Sequence, residues 1–278
     1  MTDFITTALG DRVAYDLRGD GPAVIFVAGA GPYRAIDPWT TETAELAARR
    51  GIRTVVFDRL GRGESPAGGR LDLERELVAI ATLIELVGGS AVLCGHSSGC
   101  SISLAAAARG LPVAGLVLWE APFGPQDGPA RAWAAEVERR IDAGDLEGAL
   151  AYYMKDMPPE WLDDAKRSPD YPEYVAQVVS YRADGESLAW VESAPMAELF
   201  REIRVPVEVL LGDSTFPELF DAAAAISAAI PGATWKQVPG ADHSWEPEPM
   251  ARELVEFVTA AAAAVQAGAG ATRSNRPA

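Results

Sequence analysis

The chain has 278 residues, of which 49% are hydrophobic and 23% charged, so it can build one large folded core and is not a disordered chain. Its formal net charge is -16, and such an acidic surface repels phosphate backbones and anionic lipids, which argues against nucleic acid as a partner. The N-terminus lacks a basic segment followed by an apolar run, and no apolar stretch of about 18 residues has membrane-spanning character. These features predict a cytoplasmic protein that does not enter membranes.

The first predicted elements form a hairpin. Residues 4–8 and 12–17 flank a Gly10-Asp11 turn, which is typical of two antiparallel strands. Further apolar runs bounded by turn residues predict buried strands at 23–27, 53–57, 91–94, 113–119 and 207–211. Segments with helical spacing, at 38–50, 71–87 and 98–109, separate these runs. The alternation predicts an α/β fold, with a mostly parallel sheet, an antiparallel N-terminal hairpin and helices on both faces.

The strand pattern stops between residues 121 and 204, where prolines, aromatic residues and charges dominate. Helical pieces are predicted there at 130–143, 146–154, 171–181 and 194–202. We interpret 121–204 as a helical lid inserted after the sixth strand, and 1–120 with 205–265 as the core domain. A short strand at 234–238 and a helix at 247–264 close the core, and the tail 266–278 is predicted to be disordered.

A serine with two flanking glycines stands where a predicted strand meets a helix, in Gly95-His96-Ser97-Ser98-Gly99. A serine on such a sharp turn has a strained backbone, and glycines two residues away on either side let neighbouring chain approach. The turn would expose the Ser97 hydroxyl at a helix N-terminus, where the helix dipole and the Ser98 amide can stabilise an oxyanion. Ser97 is therefore the predicted nucleophile.

Histidine is the usual base for a serine hydroxyl, and the chain contains two. His96 adjoins the nucleophile, so its side chain should point away from the hydroxyl and pack or line a pocket. His243 lies in a loop between the last predicted strand and the final helix, from which it can reach the carboxyl edge of the sheet. By elimination His243 is the predicted general base.

Three sequence markers, taken together, resemble the α/β-hydrolase superfamily, in its serine hydrolase branch. They are Val27-Ala28-Gly29-Ala30-Gly31, the segment from Asp58 to Ser65 (DRLGRGES), and the turn at Ser97, with His243 following near the C-terminus. The resemblance implies a Ser-His-acid triad on the α/β-hydrolase fold, and it implies neither a metal nor an organic cofactor.

The triad acid has two candidates. Most family members place it after the strand that follows the lid, at the position of Thr215, and threonine cannot serve. Asp213 would have to act from a shifted turn. Glu120 ends the strand before the lid, where zearalenone-type lactone hydrolases and certain haloalkane dehalogenases place their acid. Glu120 is the favoured acid and Asp213 the alternative.

The resemblance also implies an oxyanion hole made of two backbone amides. Ser98 would supply one, and Ala30 or Gly29 the other. Ala28 replaces the histidine that the family usually has in this loop, which leaves the backbone donor in place.

Several functions fit these residues. The leading hypothesis is hydrolysis of a carboxylic ester or lactone, and the aromatic residues of the predicted lid favour a hydrophobic small-molecule substrate. C-C bond hydrolysis or cofactor-free lyase chemistry on the same scaffold is an alternative. A noncatalytic small-ligand binding protein is another. Whether the chain forms a homodimer is left open.

Overall fold

The computed structural model describes residues 2–66 and 68–274. A nine-stranded sheet runs through it in the order β1-β2-β4-β3-β5-β6-β7-β8-β9. The strands are β1 (Asp3–Thr6), β2 (Arg12–Arg18), β3 (Ala23–Val27), β4 (Arg53–Phe57), β5 (Ala91–His96), β6 (Val113–Trp119), β7 (Val207–Ser214), β8 (Thr234–Ala241) and β9 (Ser244–Trp245).

The pairing confirms the predicted mixed sheet. Strands β1, β2 and β4 pair antiparallel, the six strands from β4 to β8 in sheet order pair parallel, and β9 turns back antiparallel to β8. Every residue of β3 and of β6 is buried, as expected for parallel strands covered on both faces. The apolar runs therefore predicted the central strands correctly.

Helices cover both faces of the sheet. Their bounds are α1 (Pro38–Ala48), α2 (Leu73–Leu86), α3 (Ser98–Ala108), α4 (Ala130–Asp142), α5 (Leu146–Tyr153), α6 (Pro159–Arg167), α7 (Tyr171–Gln177), α8 (Tyr181–Val191), α9 (Met196–Leu199), α10 (Pro217–Ala229) and α11 (Pro247–Ser274). Along β3, Val24 and Phe26 pack with α1 and α11, whereas Ile25 and Val27 pack with α2 and α3. This alternation follows the two-residue period of a strand and produces one apolar core on each face.

Helices α4 to α9 lie in the chain between β6 and β7, after the sixth strand as predicted. They have an apolar core of their own, in which the Tyr153 ring lies 4.8 Å from the Trp133 ring and 4.7 Å from the Tyr181 ring. The predicted helix at 171–181 is wrong in its bounds, because α7 ends at Gln177 and α8 begins at Tyr181 after a 3-10 turn. Helix α6 was not predicted; five of its nine residues are charged, and none of the nine is fully buried.

Two further elements extend beyond their predicted ends. Strand β8 continues to Ala241, and helix α11 continues to Ser274, where the sequence analysis ended the helix at 264 and expected disorder from 266. That expectation is corrected for 266–274, where no proline breaks the helix although Gly268 and Gly270 disfavour it; residues 275–278 lie outside the described residues. Within the described part of the chain, no helix combines the length and apolarity needed to cross a membrane.

Candidate active site

Ser97 occupies the turn between β5 and α3 with backbone angles of φ 53° and ψ -127°. This left-handed conformation is costly for a residue with a side chain, so surrounding structure must hold it. Its amide donates a hydrogen bond of 2.9 Å to the Trp119 carbonyl at the end of β6. The turn therefore has the sharp geometry predicted for a nucleophile.

The flanking glycines are required by close backbone approach. A Cβ atom at Gly99 would lie 2.0 Å from the Val27 carbonyl oxygen, and one at Gly95 would lie 2.7 Å from the Cys100 Cα. Gly29, in the loop after β3, is equally confined, since a Cβ there would lie 2.8 Å from the Ser97 Cβ. The loop after β3 thus packs directly against the serine.

His243 lies in a two-residue hairpin turn between β8 and β9. Asp242 and His243 have φ values of 51° and 66°, as a type I′ turn requires at both central positions. The His243 carbonyl accepts hydrogen bonds from Trp119 Nε1 at 3.2 Å and from His96 Nε2 at 2.9 Å. Two donors from neighbouring strand ends therefore hold the backbone of this turn.

His96 supports this turn in its neutral form. Burial, together with the nearby His243, lowers the pKa of His96 to about 4. The neutral tautomer with the proton on Nε2 can donate to the His243 carbonyl. The prediction that His96 packs or lines a pocket is confirmed, and its hydrogen bond to the turn is a contact that the sequence did not indicate.

Of the two candidate acids, the structure brings Glu120 to His243. Glu120 is 1% exposed, and its Oε2 lies 2.6 Å from His243 Nδ1, while Oε1 accepts the Gly212 amide at 3.0 Å. Burial raises the pKa of the Glu120 carboxyl, but hydrogen bonds from neighbouring groups, that of His243 the largest, together with the attraction of His243, outweigh burial, and the net pKa is lowered. The carboxylate form, which can accept the Nδ1 proton, is thereby favoured.

The Asp213 carboxylate hydrogen-bonds the backbone of β8. It is exposed near the end of β7, and its Oδ1 accepts the Gly240 amide at 3.2 Å. This contact joins β7 to β8 and gives Asp213 the role of an ordinary strand-end residue.

The described residues include five non-glycine residues with positive φ, and Ser97, Glu120 and His243 are three of them. Unfavourable backbone angles persist only where the surrounding structure imposes them, and they concentrate at functional sites. The three residues singled out from sequence thus share a second signal that is independent of the hydrogen bond between His243 and Glu120.

A cavity of about 690 Å³ opens beside these residues. Ser97 and His243 line it together, and the Trp161 ring stacks over His243 with 6.3 Å between centroids. Within the described residues, Ser97 Oγ does not hydrogen-bond the imidazole in this conformation. Catalytic hydrogen bonds are often long without substrate and shorten when it binds.

The predicted oxyanion donors lie at the same cavity wall. Ser98 and Ala30 line the cavity, and Gly29 packs beneath it against Ser97. Below this wall lies a buried group of charges, Arg59, Arg62 and Asp184, that the sequence analysis did not assign. Their only sequence signal is the position of both arginines within the segment 58–65.

No group of three or more histidine, cysteine, aspartate or glutamate side chains in the described part of the chain is arranged to hold a metal ion. Both cysteines, Cys94 and Cys100, are buried as free thiols.

Comparison with known proteins gives the family of the chain. The model of the alpha/beta hydrolase family matches residues 24–257, which is more than half of the chain. The chain belongs to the alpha/beta hydrolase family. A search of curated protein sequences found no significant match to the chain.

Solved structures show the same α/β-hydrolase fold. An alpha/beta hydrolase from Sphaerobacter thermophilus is 27% identical, with a TM-score of 0.77, over 92% of this chain and 99% of that one. An esterase from Exiguobacterium antarcticum is 19% identical, with a TM-score of 0.62, over 93% of this chain and 100% of that one. A meta-cleavage product hydrolase from Pseudomonas fluorescens is 17% identical, with a TM-score of 0.62, over 93% of this chain and 98% of that one.

Proposed function

We propose that the protein is a serine hydrolase that cleaves a carboxylic ester or lactone of a hydrophobic small molecule, with Ser97, His243 and Glu120 as its triad. One observation carries the proposal: His243 Nδ1 lies 2.6 Å from the buried Glu120 carboxylate, on the wall of a cavity that Ser97 also lines. With Nδ1–H committed to Glu120, the free Nε2 of the imidazole is the nitrogen available as a base.

The proposed reaction has two halves. His243 Nε2 accepts the Ser97 proton as the oxygen attacks the substrate carbonyl, and the amides of Ser98 and Ala30 stabilise the oxyanion. The imidazolium then protonates the leaving alcohol, which leaves an acyl group on Ser97. Water, deprotonated by the same nitrogen, releases the acid and restores the serine.

The cavity supports a hydrophobic substrate. Its volume of about 690 Å³ suits a small organic molecule, and its wall includes Trp133, Trp161 and Phe216 from helices α4 and α6 and the loop after β7. Residues of the inserted helices thus form much of the wall, which supports the proposal that 121–204 is a lid over the site.

The test is hydrolysis of a panel of p-nitrophenyl esters and aromatic lactones, with product identification by mass spectrometry. We expect turnover that prefers hydrophobic acyl groups and that falls about 10⁴-fold or more in Ser97→Ala. The matched control is Ser103→Ala, whose hydroxyl donates to the Gly99 carbonyl within α3 at 2.8 Å, and it should keep activity. Ligand binding without turnover would contradict the proposal, as would cleavage of a C-C bond in place of the ester.

A further inference from the structure

Two arginines from the segment after β4 are fully enclosed. Arg59 and Arg62 are 1% and 0% exposed, and both contact Asp184 of α8, at 2.7 Å from Arg59 and 2.8 Å from Arg62. Glu76 of α2 pairs with Arg59 at 3.0 Å, so two positive and two negative charges face one another. Burial alone would raise the pKa of Asp184, but the attraction of the two arginines outweighs it and lowers that pKa.

Buried ion pairs are weak evidence for stability, since each charge loses its hydration. The hydrogen bonds that Arg59 and Arg62 make connect these buried charges to the candidate active site instead. Arg59 donates to the Ala28 carbonyl at 3.0 Å and to the Gly29 carbonyl at 3.3 Å, and Arg62 also donates to the Gly29 carbonyl. The two guanidinium groups therefore hydrogen-bond the backbone of the loop after β3, which carries the second predicted oxyanion donor.

The hydrogen bonds to the Gly29 carbonyl fix the orientation of the Ala30 amide, which belongs to the same peptide. In a planar trans peptide the carbonyl of one residue and the N–H of the following residue point in opposite directions. Because the Gly29 carbonyl faces the buried arginines, the Ala30 N–H points away from them. Ala30 itself lines the cavity together with Ser97. Within the described residues this amide donates to no protein acceptor, so it is available to a bound oxyanion.

The Asp184 carboxylate also contacts Ser98, the residue of the other predicted oxyanion donor. Ser98 Oγ donates to Asp184 Oδ1 at 2.7 Å, and Ser98 is the residue whose amide follows the nucleophile. Asp184 thus contacts the arginine that holds one side of the oxyanion hole and the residue that forms the other.

We propose that Arg62, held by Asp184, is a positioning residue that orients the Gly29–Ala30 peptide so that the Ala30 amide completes the oxyanion hole. The Ala28 carbonyl also faces Arg59, so the choice of Ala30 over Gly29 rests on position: Ala30 lines the cavity, whereas Gly29 packs against Ser97. The inference rests on the proposed ester hydrolysis. Arg62 does not touch the substrate; it acts through the peptide.

The first test uses Arg62→Lys, which keeps the charge but loses the planar fork of donors. We expect kcat to fall by about 10- to 100-fold with KM within about threefold, because the lost interaction acts in the transition state. Affinity for a trifluoromethyl ketone, whose adduct on Ser97 carries an oxyanion, should fall by the same factor as kcat/KM. In Arg62→Ala, added methylguanidine should restore part of kcat.

Arg34→Lys is the matched control. The Arg34 side chain is 8% exposed and pairs with Asp16, Asp58 and Glu64, so it is equally a nearly buried arginine among carboxylates but is bound to neither loop carbonyl. It should lower the melting temperature while leaving kcat and trifluoromethyl ketone affinity within about threefold. Equal losses of kcat in Arg34→Lys and Arg62→Lys would overturn the inference.

A second variant keeps every buried charged side chain in place. Incorporating lactate in place of Ala30 replaces one N–H by an ester oxygen; we expect a loss of about 10²-fold in kcat there and little loss for the equivalent change at Gly29. Adding Arg62→Lys to the position-30 variant should cost little more, since both changes act on one donor. A larger loss at position 29, or fully additive losses, would overturn the inference while the unaltered protein still hydrolyses esters. An unaltered protein that hydrolyses none would overturn the proposed function and this inference together.

Discussion

At the scale of single residues, the position of the proposed triad acid distinguishes this chain from the usual family pattern. The usual position, after β7, holds Thr215, and the proposed acid is Glu120 at the end of β6. A carboxylate that is 1% exposed needs partners that favour its charged form. The Gly212 amide and the His243 ring supply them.

Replacing Glu120 by glutamine tests this assignment. We expect kcat for ester hydrolysis to fall by about 10³- to 10⁴-fold in Glu120→Gln, because an amide does not hold the imidazole in the required tautomer. Asp213→Asn is the control and should change kcat by less than about threefold, since Asp213 contacts the Gly240 amide. Steady-state kinetics on both variants decides between them, and a greater loss in Asp213→Asn would reverse the assignment.

His96 makes stability depend on pH. Its pKa is lowered from 6.5 to about 4 in the folded protein, so between these values the unfolded chain binds a proton that the folded chain does not. The free energy of unfolding should therefore decrease as pH falls from about 6.5 to about 4, by on the order of 3 kcal/mol if His96 acts alone.

Urea unfolding at several pH values measures this effect. In His96→Gln, whose amide can still donate to the His243 carbonyl, that part of the pH dependence should disappear while folding at pH 7.5 is retained. An unchanged pH profile in His96→Gln would show that other groups cause the loss of stability.

Ser97 and His243 could be predicted because each has a local signal, a glycine-flanked turn and a scarce residue type. The sequence favoured Glu120 over Asp213 as the acid but left Asp213 open, because the choice depends on which strand end faces the His243 turn. The contacts of Arg59 and Arg62 could not be predicted from sequence, since their partner Asp184 is more than 100 positions away in the chain.

At the scale of elements, the strand-turn-helix unit of β5 and α3 depends on the absence of side chains at its glycines. The first turn of α3 passes so near β3 that Gly99 faces the Val27 carbonyl. The burial of α3 is nearly complete along its length, which suits its run of serines and alanines. Small residues there allow the helix and the sheet to approach closely.

Gly99→Ala should destabilise the protein by about 3 kcal/mol and lower activity, because the new Cβ would lie 2.0 Å from a backbone oxygen that can move little. Gly68→Ala is the control: a Cβ there meets no atom within 4 Å, so the change should lie within about 0.5 kcal/mol. Chemical denaturation of the two variants gives the comparison. Equal stability of both would show that the close approach at Gly99 is relieved at no cost.

Elements of the sheet could be predicted more fully than the inserted helices. Buried parallel strands leave continuous apolar runs, as in β3 and β6. Helix α8 contains Asp184 and Gly185, residues that usually disfavour a helix interior, and only tertiary contacts explain them: Asp184 joins the buried charges, and Gly185 packs against Ala134 of α4. Strand β9 is too short to leave a pattern.

At the scale of the whole molecule, the inserted helices differ in how firmly they are attached. Helix α8 has six buried residues and is tied to the core through Asp184, whereas α6 has none. Yet α6 carries Trp161, which stacks over His243. Movement of α6 away from a fixed α8 would therefore open the cavity to substrate.

Hydrogen exchange measured by mass spectrometry tests this division. Amides of α6 should exchange at least about 100-fold faster than those of α8, because local opening needs fewer buried contacts to break. Exchange of both helices at one common rate would mean that the inserted segment opens as a single unit.

The most direct test of the account as a whole is covalent labelling by a fluorophosphonate, with the modified residue located by tandem mass spectrometry. We expect one adduct, on Ser97, that forms in the unaltered protein and in Asp213→Asn, forms far more slowly in Glu120→Gln and His243→Gln, and is absent in Ser97→Ala. A folded protein that remains unlabelled, or one labelled at another residue, would contradict it.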